Sequence, residues 1–180
     1  MRIIGGQWRG RRLLAPTGKD VRPTADRTRE ALFNILAHAP LGQAPLGGSV
    51  WLDVFCGTGA VGLEALSRGA ETCLFVDRDV SLARANFTAL GASPAVVQGD
   101  ATKLGPRTLP RPADFAYLDP PYGHDLLGPA LENLRAGDWL APQALVILES
   151  AASETISLPL PFKLHDSRVY GAAKLWFAGL

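Results

Sequence analysis

A chain of 180 residues, 47% apolar and with a net charge of +1, fits one packed core. No apolar run nears the ~18 residues that span a bilayer, and the opening Met1-Arg2-Ile3-Ile4-Gly5-Gly6 lacks the apolar stretch of a secretory signal, so a cytoplasmic protein is expected. Cys56, Cys73, His38, His124 and His165 show no metal-ligand spacing, and no metal site is expected.

The near-neutral total hides an asymmetry. Residues 1–30 carry eight Arg or Lys and three Asp or Glu. A basic arm, 1–22, therefore precedes a mildly acidic body, 23–180, within a single domain. Such an arm suits a polyanion; a solvated Arg-rich surface is the plainer reading. Trp8 lies among the arginines, where a flat ring beside cations suits stacking on a base. Residues 2–8 and 11–14 read as short strands joined at Arg9-Gly10, a β-hairpin. Pro16-Thr17-Gly18 breaks that pattern. Thr24 is placed to cap a helix, and Asp26 suits the positive end of its dipole. Leu32, Ile35 and Leu36 share one face of this helix, which runs to about residue 37. The Gly/Pro-rich stretch 41–49 reads as a loop.

The body alternates strands and helices. Strands are expected at 50–55, 73–77, 95–98, 115–118 and 145–148, with a final antiparallel pair at 163–170 and 174–177 around Gly171. Helices are expected at 60–68, stopped by Gly69, at 82–90, stopped by Gly91, and around Leu127, Leu131 and Leu134. Near-continuous apolar strands alternating with helices mean an α/β fold with a mostly parallel sheet covered on both faces.

In such a sheet ligands sit at the carboxyl ends of the strands, and the informative motifs fall there. Asp53-Val54-Phe55-Cys56-Gly57-Thr58-Gly59 closes the first strand. Its glycines permit a tight turn and let helix N–H groups face a ligand. Asp77 ends the second strand, about where an acid bonds a ribose diol. Asp100 follows the third strand and suits the amino group of an adenine. The spacing Gly57-x-Gly59-x-x-Gly62 also matches a dinucleotide fingerprint, although Gly62 equally suits plain helix–strand packing. Asp53 argues for another ligand: a carboxylate before the turn repels a pyrophosphate and suits a sulfonium or an ammonium.

The fourth strand ends in Asp119-Pro120-Pro121-Tyr122. Proline keeps the residue before it out of helical geometry and offers no N–H to local carbonyls. The Asp119 carboxylate and the Pro120 carbonyl are then free to accept the two hydrogens of a planar amine, which orients it and favours a more tetrahedral nitrogen. Tyr122 suits stacking on a base, worth ~1–3 kcal/mol.

These segments resemble motifs of S-adenosylmethionine-dependent amino-methyltransferases. Residues 1–11, Arg22-Pro23-Thr24, residues 26–36 and residues 62–69 resemble, more narrowly, the bacterial 16S ribosomal RNA guanine-N2 methyltransferase family, and the resemblance covers nearly the whole chain. It implies a Rossmann-like methyltransferase fold with a seven-stranded sheet whose last strand is antiparallel, plus a β-hairpin arm. It implies methylation of a guanine N2 in small-subunit rRNA, with S-adenosylmethionine as cofactor and rRNA or the ribosomal subunit as partner of a monomer. Carried over by residue, Asp53, Phe55, Gly57, Gly59, Asp77 and Asp100 bind the cofactor. Asp119, Pro120 and Tyr122 hold the base. Arg9, Arg11, Arg12, Arg22, Arg27 and Arg29 contact RNA. Cys56 departs from the alanine expected in the loop and should be a buried, inert thiol. Three other readings stay open: a DNA adenine-N6 or cytosine-N4 methyltransferase, an NAD-dependent oxidoreductase, and a non-catalytic rRNA-binding assembly factor.

Overall fold

The computed structural model describes residues 1–16, 23–38, 41, 44–121 and 123–180, with the side chains of 23–25 excepted. Helix α1 (Pro23–His38) leads into β1 (Val50–Val54), α2 (Ala60–Ser67), β2 (Thr72–Asp77), α3 (Ser81–Leu90) and β3 (Ala95–Gln98). A short 3-10 turn (Ala101–Lys103) is followed by β4 (Ala113–Leu118), α4 (Leu127–Ala136), β5 (Leu140–Ala151), β6 (Lys163–Tyr170) and β7 (Ala173–Gly179). The seven strands form one sheet in the order β3-β2-β1-β4-β5-β7-β6. Of the seven, β7 alone runs against the direction of the others, wedged between β5 and β6.

Parity along the strands divides the core. Trp51, Phe75, Phe115, Tyr117, Ile147 and Phe177 face the layer formed by α1, α2 and α3. Leu52, Leu74, Ala116, Leu118, Val146 and Leu148 face α4. Trp51 anchors the first layer. Its ring stacks on Phe115 at 4.5 Å and on Phe33 of α1 at 5.6 Å between centroids. Such pairs add about 0.5–1.5 kcal/mol to the burial of their area.

Two expectations need correction. The fifth strand starts at Leu140, five residues early, because exposed Pro142 and Gln143 interrupt its apolar run and a register shift separates Ala113 from Phe115 in its partner. The hairpin is also much shorter than 2–8 and 11–14 suggest. Its only bridge is Arg2 with Arg12, supported by Ile3 N–H to Arg11 O and Gly10 N–H to Ile3 O, both 2.9 Å. The chain turns from Gly5 onward rather than at Arg9 because α2 captures it. Glu64 accepts the N–H groups of Ile4 (2.8 Å) and Gly5 (2.7 Å), and Ser67 accepts Gln7 N–H and Trp8 N–H through its carbonyl and hydroxyl. Gly6, at φ 75°, lies so close to Ser67 that a Cβ there would meet its carbonyl oxygen at 1.7 Å. The basic segment is thus a docked ribbon, with Ile3 and Leu13 in the core.

Glu64 is fully buried. Besides the ribbon it holds Arg68 (Nε 2.8 Å) and Arg29 (Nε 3.6 Å), so one carboxylate joins α2, α1 and the ribbon. Removing one partner of a buried charge network costs about 3–5 kcal/mol. Glu64→Ala should therefore lose stability on that scale in urea denaturation, with protease sites opening first between residues 4 and 12.

Candidate active site

Strand register decides which side chains meet. Asp53 pairs with Tyr117, and Tyr117 with Ile147. One pleat further along, Asp119, just past β4, and Glu149, still within β5, project to the same face, the one covered by α1. Asp53, Tyr117, Asp119 and Glu149 line a cavity of about 120 Å3. Thr28 and Arg29 of α1 form one wall, and Phe55, Cys56 and Thr58 of the loop after β1 form another. Within it the Tyr117 hydroxyl donates to Glu149 Oε2 at 2.5 Å.

That loop is wound tightly. Phe55, Gly57 and Gly59 all have positive φ, at 61°, 51° and 73°. A bulky residue such as Phe55 adopts this conformation at a cost of roughly 1–3 kcal/mol, a strain found at ligand sites. The turn aims Gly57 N–H at Asp77 Oδ2 (2.8 Å). Gly62 proves to be a packing residue, since a Cβ there would meet Phe75 at 2.5 Å and Cys73 Sγ at 2.6 Å. Its N–H donates to Asp53 Oδ2 at 2.8 Å, which ties Asp53 to the positive end of α2. The other Asp53 oxygen has no hydrogen bond among the described residues.

Burial sets the electrostatics. It pushes the Asp53 carboxyl up to about 7, against the pull of the Gly62 N–H and with added repulsion from Asp77. Burial, then the charges of Glu149 and Asp53, holds Asp119 well above the usual carboxylate range. Burial also raises Glu149, partly offset by the Tyr117 hydrogen bond. The cavity thus favours a positive ligand, which would restore the ionised acids. The three carboxylates do not converge as metal ligands, and no such group exists among the described residues. Burial raises the Cys56 thiol far from ionisation, as an inert side chain requires.

Asp77 and Asp100 lie further along the strand ends. Asp77 accepts Gly57 N–H with one oxygen and Asp79 N–H (3.1 Å) with the other. Asp100 caps the 3-10 turn, accepting the N–H and hydroxyl of Thr102, and pairs with Arg78 at 2.8 Å. The Thr102 N–H, then its hydroxyl, then Arg78 lower its pKa.

Beyond Asp119, Pro120 and Pro121 line a second cavity of about 300 Å3 with His124, Leu126, Ser150 and Thr155. Glu149 borders both cavities. Tyr122 and Arg22 lie outside the described residues.

Of the arginines expected to meet RNA, Arg9, Arg11, Arg12 and Arg27 are exposed. Arg9 and Arg27 line one groove of about 470 Å3 with Arg2. Arg11 turns toward α3, donating to Ala89 O at 2.6 Å. Arg29 requires a correction. It is 4% exposed, donates to Arg2 O (2.5 Å) and Asp26 (3.0 Å), and faces Glu64. It is an interior cation among acids, unable to reach a phosphate on the surface. Trp8 is half-buried against the core rather than a free stacking ring.

Three site residues escape the sequence reading. Glu149 follows the predicted strand 145–148 as Asp119 follows 115–118, and that position was the available signal. Tyr117 sits inside a strand, where parity alone marks its face. Thr28 gives no signal. Its hydroxyl and Arg29 Nε are buried without a hydrogen-bond partner among the described residues.

Comparison with known proteins finds relatives over nearly the whole chain. The family described as Conserved hypothetical protein 95 matches residues 1–179. Ribosomal RNA small subunit methyltransferase D of Escherichia coli strain K12 is 36% identical over 175 residues, covering 95% of this chain and 85% of that protein. The protein of the same name from Haemophilus influenzae is 33% identical over 179 residues, covering 95% and 89%. The solved structure of yhhF from Escherichia coli superposes with a TM-score of 0.82 at 35% identity, covering 99% of this chain and 97% of that one. The sheet order with its reversed last strand is the Rossmann-like methyltransferase fold.

The raised Asp53 pKa has a measurable sign. The folded chain holds this proton up to about pH 7, while the unfolded chain releases it near pH 4. Asp53 therefore destabilises the fold progressively as pH rises through that window. Urea denaturation from pH 5 to 8 should show falling stability in the wild type and a flatter profile in Asp53→Asn.

Proposed function

The chain belongs to the Conserved hypothetical protein 95 family, and we propose that it methylates the exocyclic N2 amine of a guanine in small-subunit ribosomal RNA, using S-adenosylmethionine. The observation that carries this reading is the Asp119-Pro120 corner, which stands between an acid-lined cavity and a second cavity open to a base. The names of the relatives support rRNA as the substrate. The reading implies a protein that works in the cytoplasm, where ribosomes are assembled.

The residues of the first cavity fit the cofactor. Asp53 offers one oxygen without a hydrogen bond to an ammonium. Arg29 offers the wall's positive charge to a carboxylate, beside a Thr28 hydroxyl that lacks a partner among the described residues. Gly57 and Gly59 let the backbone approach closely, with Phe55 beside them. Asp77 and Asp100, at the ends of β2 and β3, suit ribose hydroxyls and an adenine amine. When bound, S-adenosylmethionine supplies a methyl group on a positively charged sulfur.

The second cavity suits the base. Asp119 and the Pro120 carbonyl accept the two amine hydrogens and turn the nitrogen lone pair toward the first cavity. Orientation does most of the work, and the displaced proton leaves after transfer. A positive ligand beside Asp53 and Asp119 shifts both toward the ionised form that accepts hydrogen bonds. Tyr122 is assigned to base stacking on sequence grounds alone. Arg9, Arg12 and Arg27, and more weakly Arg11, attract the RNA backbone, with Arg22 assigned to the same task from the sequence.

Asp119→Ala should cut kcat at least 100-fold while changing S-adenosylmethionine affinity less than about threefold; assays with small-subunit particles and calorimetry check both. N2-methylguanosine should disappear at one rRNA position in cells lacking the protein, read by nucleoside mass analysis. Changing Arg9 and Arg27 together to Ala should weaken RNA binding and reduce the slope of log K against log salt by about 1.5. An unaltered slope would assign the RNA path to another face.

A further inference from the structure

Asp53, Asp77, Asp100 and Asp119 each have a task in the proposed reaction, and Glu149 has none. Yet Glu149 borders both cavities. Leu118 pairs with Leu148, so Glu149 stands beside Asp119 at the next step of the register. Its Oε2 is fixed by the Tyr117 hydroxyl at 2.5 Å. Its Oε1 has no hydrogen bond among the described residues. A carboxylate oriented by one oxygen and open at the other is an acceptor awaiting a donor.

We infer that Glu149 Oε1 accepts the N1–H of the target guanine and so selects guanine among the amine-bearing bases. The inference rests on the reading of Asp119 and Pro120 as holders of the amine. Those two groups alone fit the amine of guanine, adenine or cytosine equally. The atom beside the amine differs. In guanine, N2 adjoins N1–H, a donor. In adenine, N6 adjoins N1, and in cytosine, N4 adjoins N3, both bare acceptors. A carboxylate beside the amine holder bonds the first and repels the lone pair of the others. Flipped bases are read on this edge, and sites built around a substrate N–H reject analogues lacking it strongly. The charge of Glu149 raises the pKa of Asp119, and a base edge that brings an N–H to each carboxylate satisfies the two at once.

The test uses an rRNA fragment with guanosine at the mapped target position, and the same fragment with 2-aminopurine there. That analogue keeps the amine and lacks N1–H. Wild-type protein should show kcat/KM at least about 100-fold lower on 2-aminopurine. Glu149→Gln keeps the side-chain shape and an oxygen for Tyr117, and it presents an N–H to the bare N1. Its kcat/KM on guanosine should fall about 10- to 100-fold, and the guanosine-to-2-aminopurine ratio should shrink at least tenfold. An unchanged ratio in E149Q that melts normally and binds S-adenosylmethionine overturns the inference and leaves N2 methylation standing. Wild-type protein that makes no N2-methylguanosine overturns both. If E149Q does not fold, Glu149→Asp, which withdraws the carboxylate by one methylene, must also lower the ratio; an unchanged ratio there is equally fatal.

Discussion

A two-residue repeat governs this molecule. Successive side chains of a strand point to opposite faces, and β1, β4 and β5 run in parallel register. Asp53, Tyr117, Asp119 and Glu149 share odd parity with the aromatic core beneath them, so acids emerge at the strand ends where Trp51, Phe115 and Ile147 stop. A one-residue slip in any of these strands would send an acid to the α4 face. The packed aromatic layer that resists such a slip is therefore also what aligns the chemistry.

Acids gathered in a dry place need a counterweight, and α1 brings it. Arg29 is the interior cation of that wall, held by Arg2 O, Asp26 and Glu64. The ribbon at the start of the chain contributes the carbonyl that orients it. A segment that looks like an RNA-seeking arm thus also completes the wall of the first cavity. Its outward arginines, Arg9 and Arg12, are exposed, so one short stretch serves the interior with its backbone and presents side chains to the surface.

Much of this was legible in the residues. The apolar strands announce themselves by composition, and β3 lies where expected to the residue. The strand-end acids and the Asp-Pro-Pro segment carry their own mechanical meaning. What stayed hidden depends on partners distant in sequence. Arg29 looks like any basic residue of a charged stretch until Glu64, 35 positions on, is seen to bury it. Glu149 has no motif around it beyond its place after an apolar run, and its partners appear only when β5 lies beside β4. The start of β5 was masked by Pro142 and Gln143, which look like a loop and are tolerated where a strand is locally exposed. The ribbon reads as a longer hairpin because a β-pattern does not reveal that α2 will compete for its hydrogen bonds.

The sheet ends in two dissimilar borders. At one side β3 is only four residues long. At the other, β6 carries Lys163, Asp166 and Arg168 and a register irregularity between Leu164 and Asp166. Short length, charge and a kink each deny a neighbouring chain a flat template for strand addition. A concentrated solution of this protein is thereby guarded against growing fibrils from its own borders.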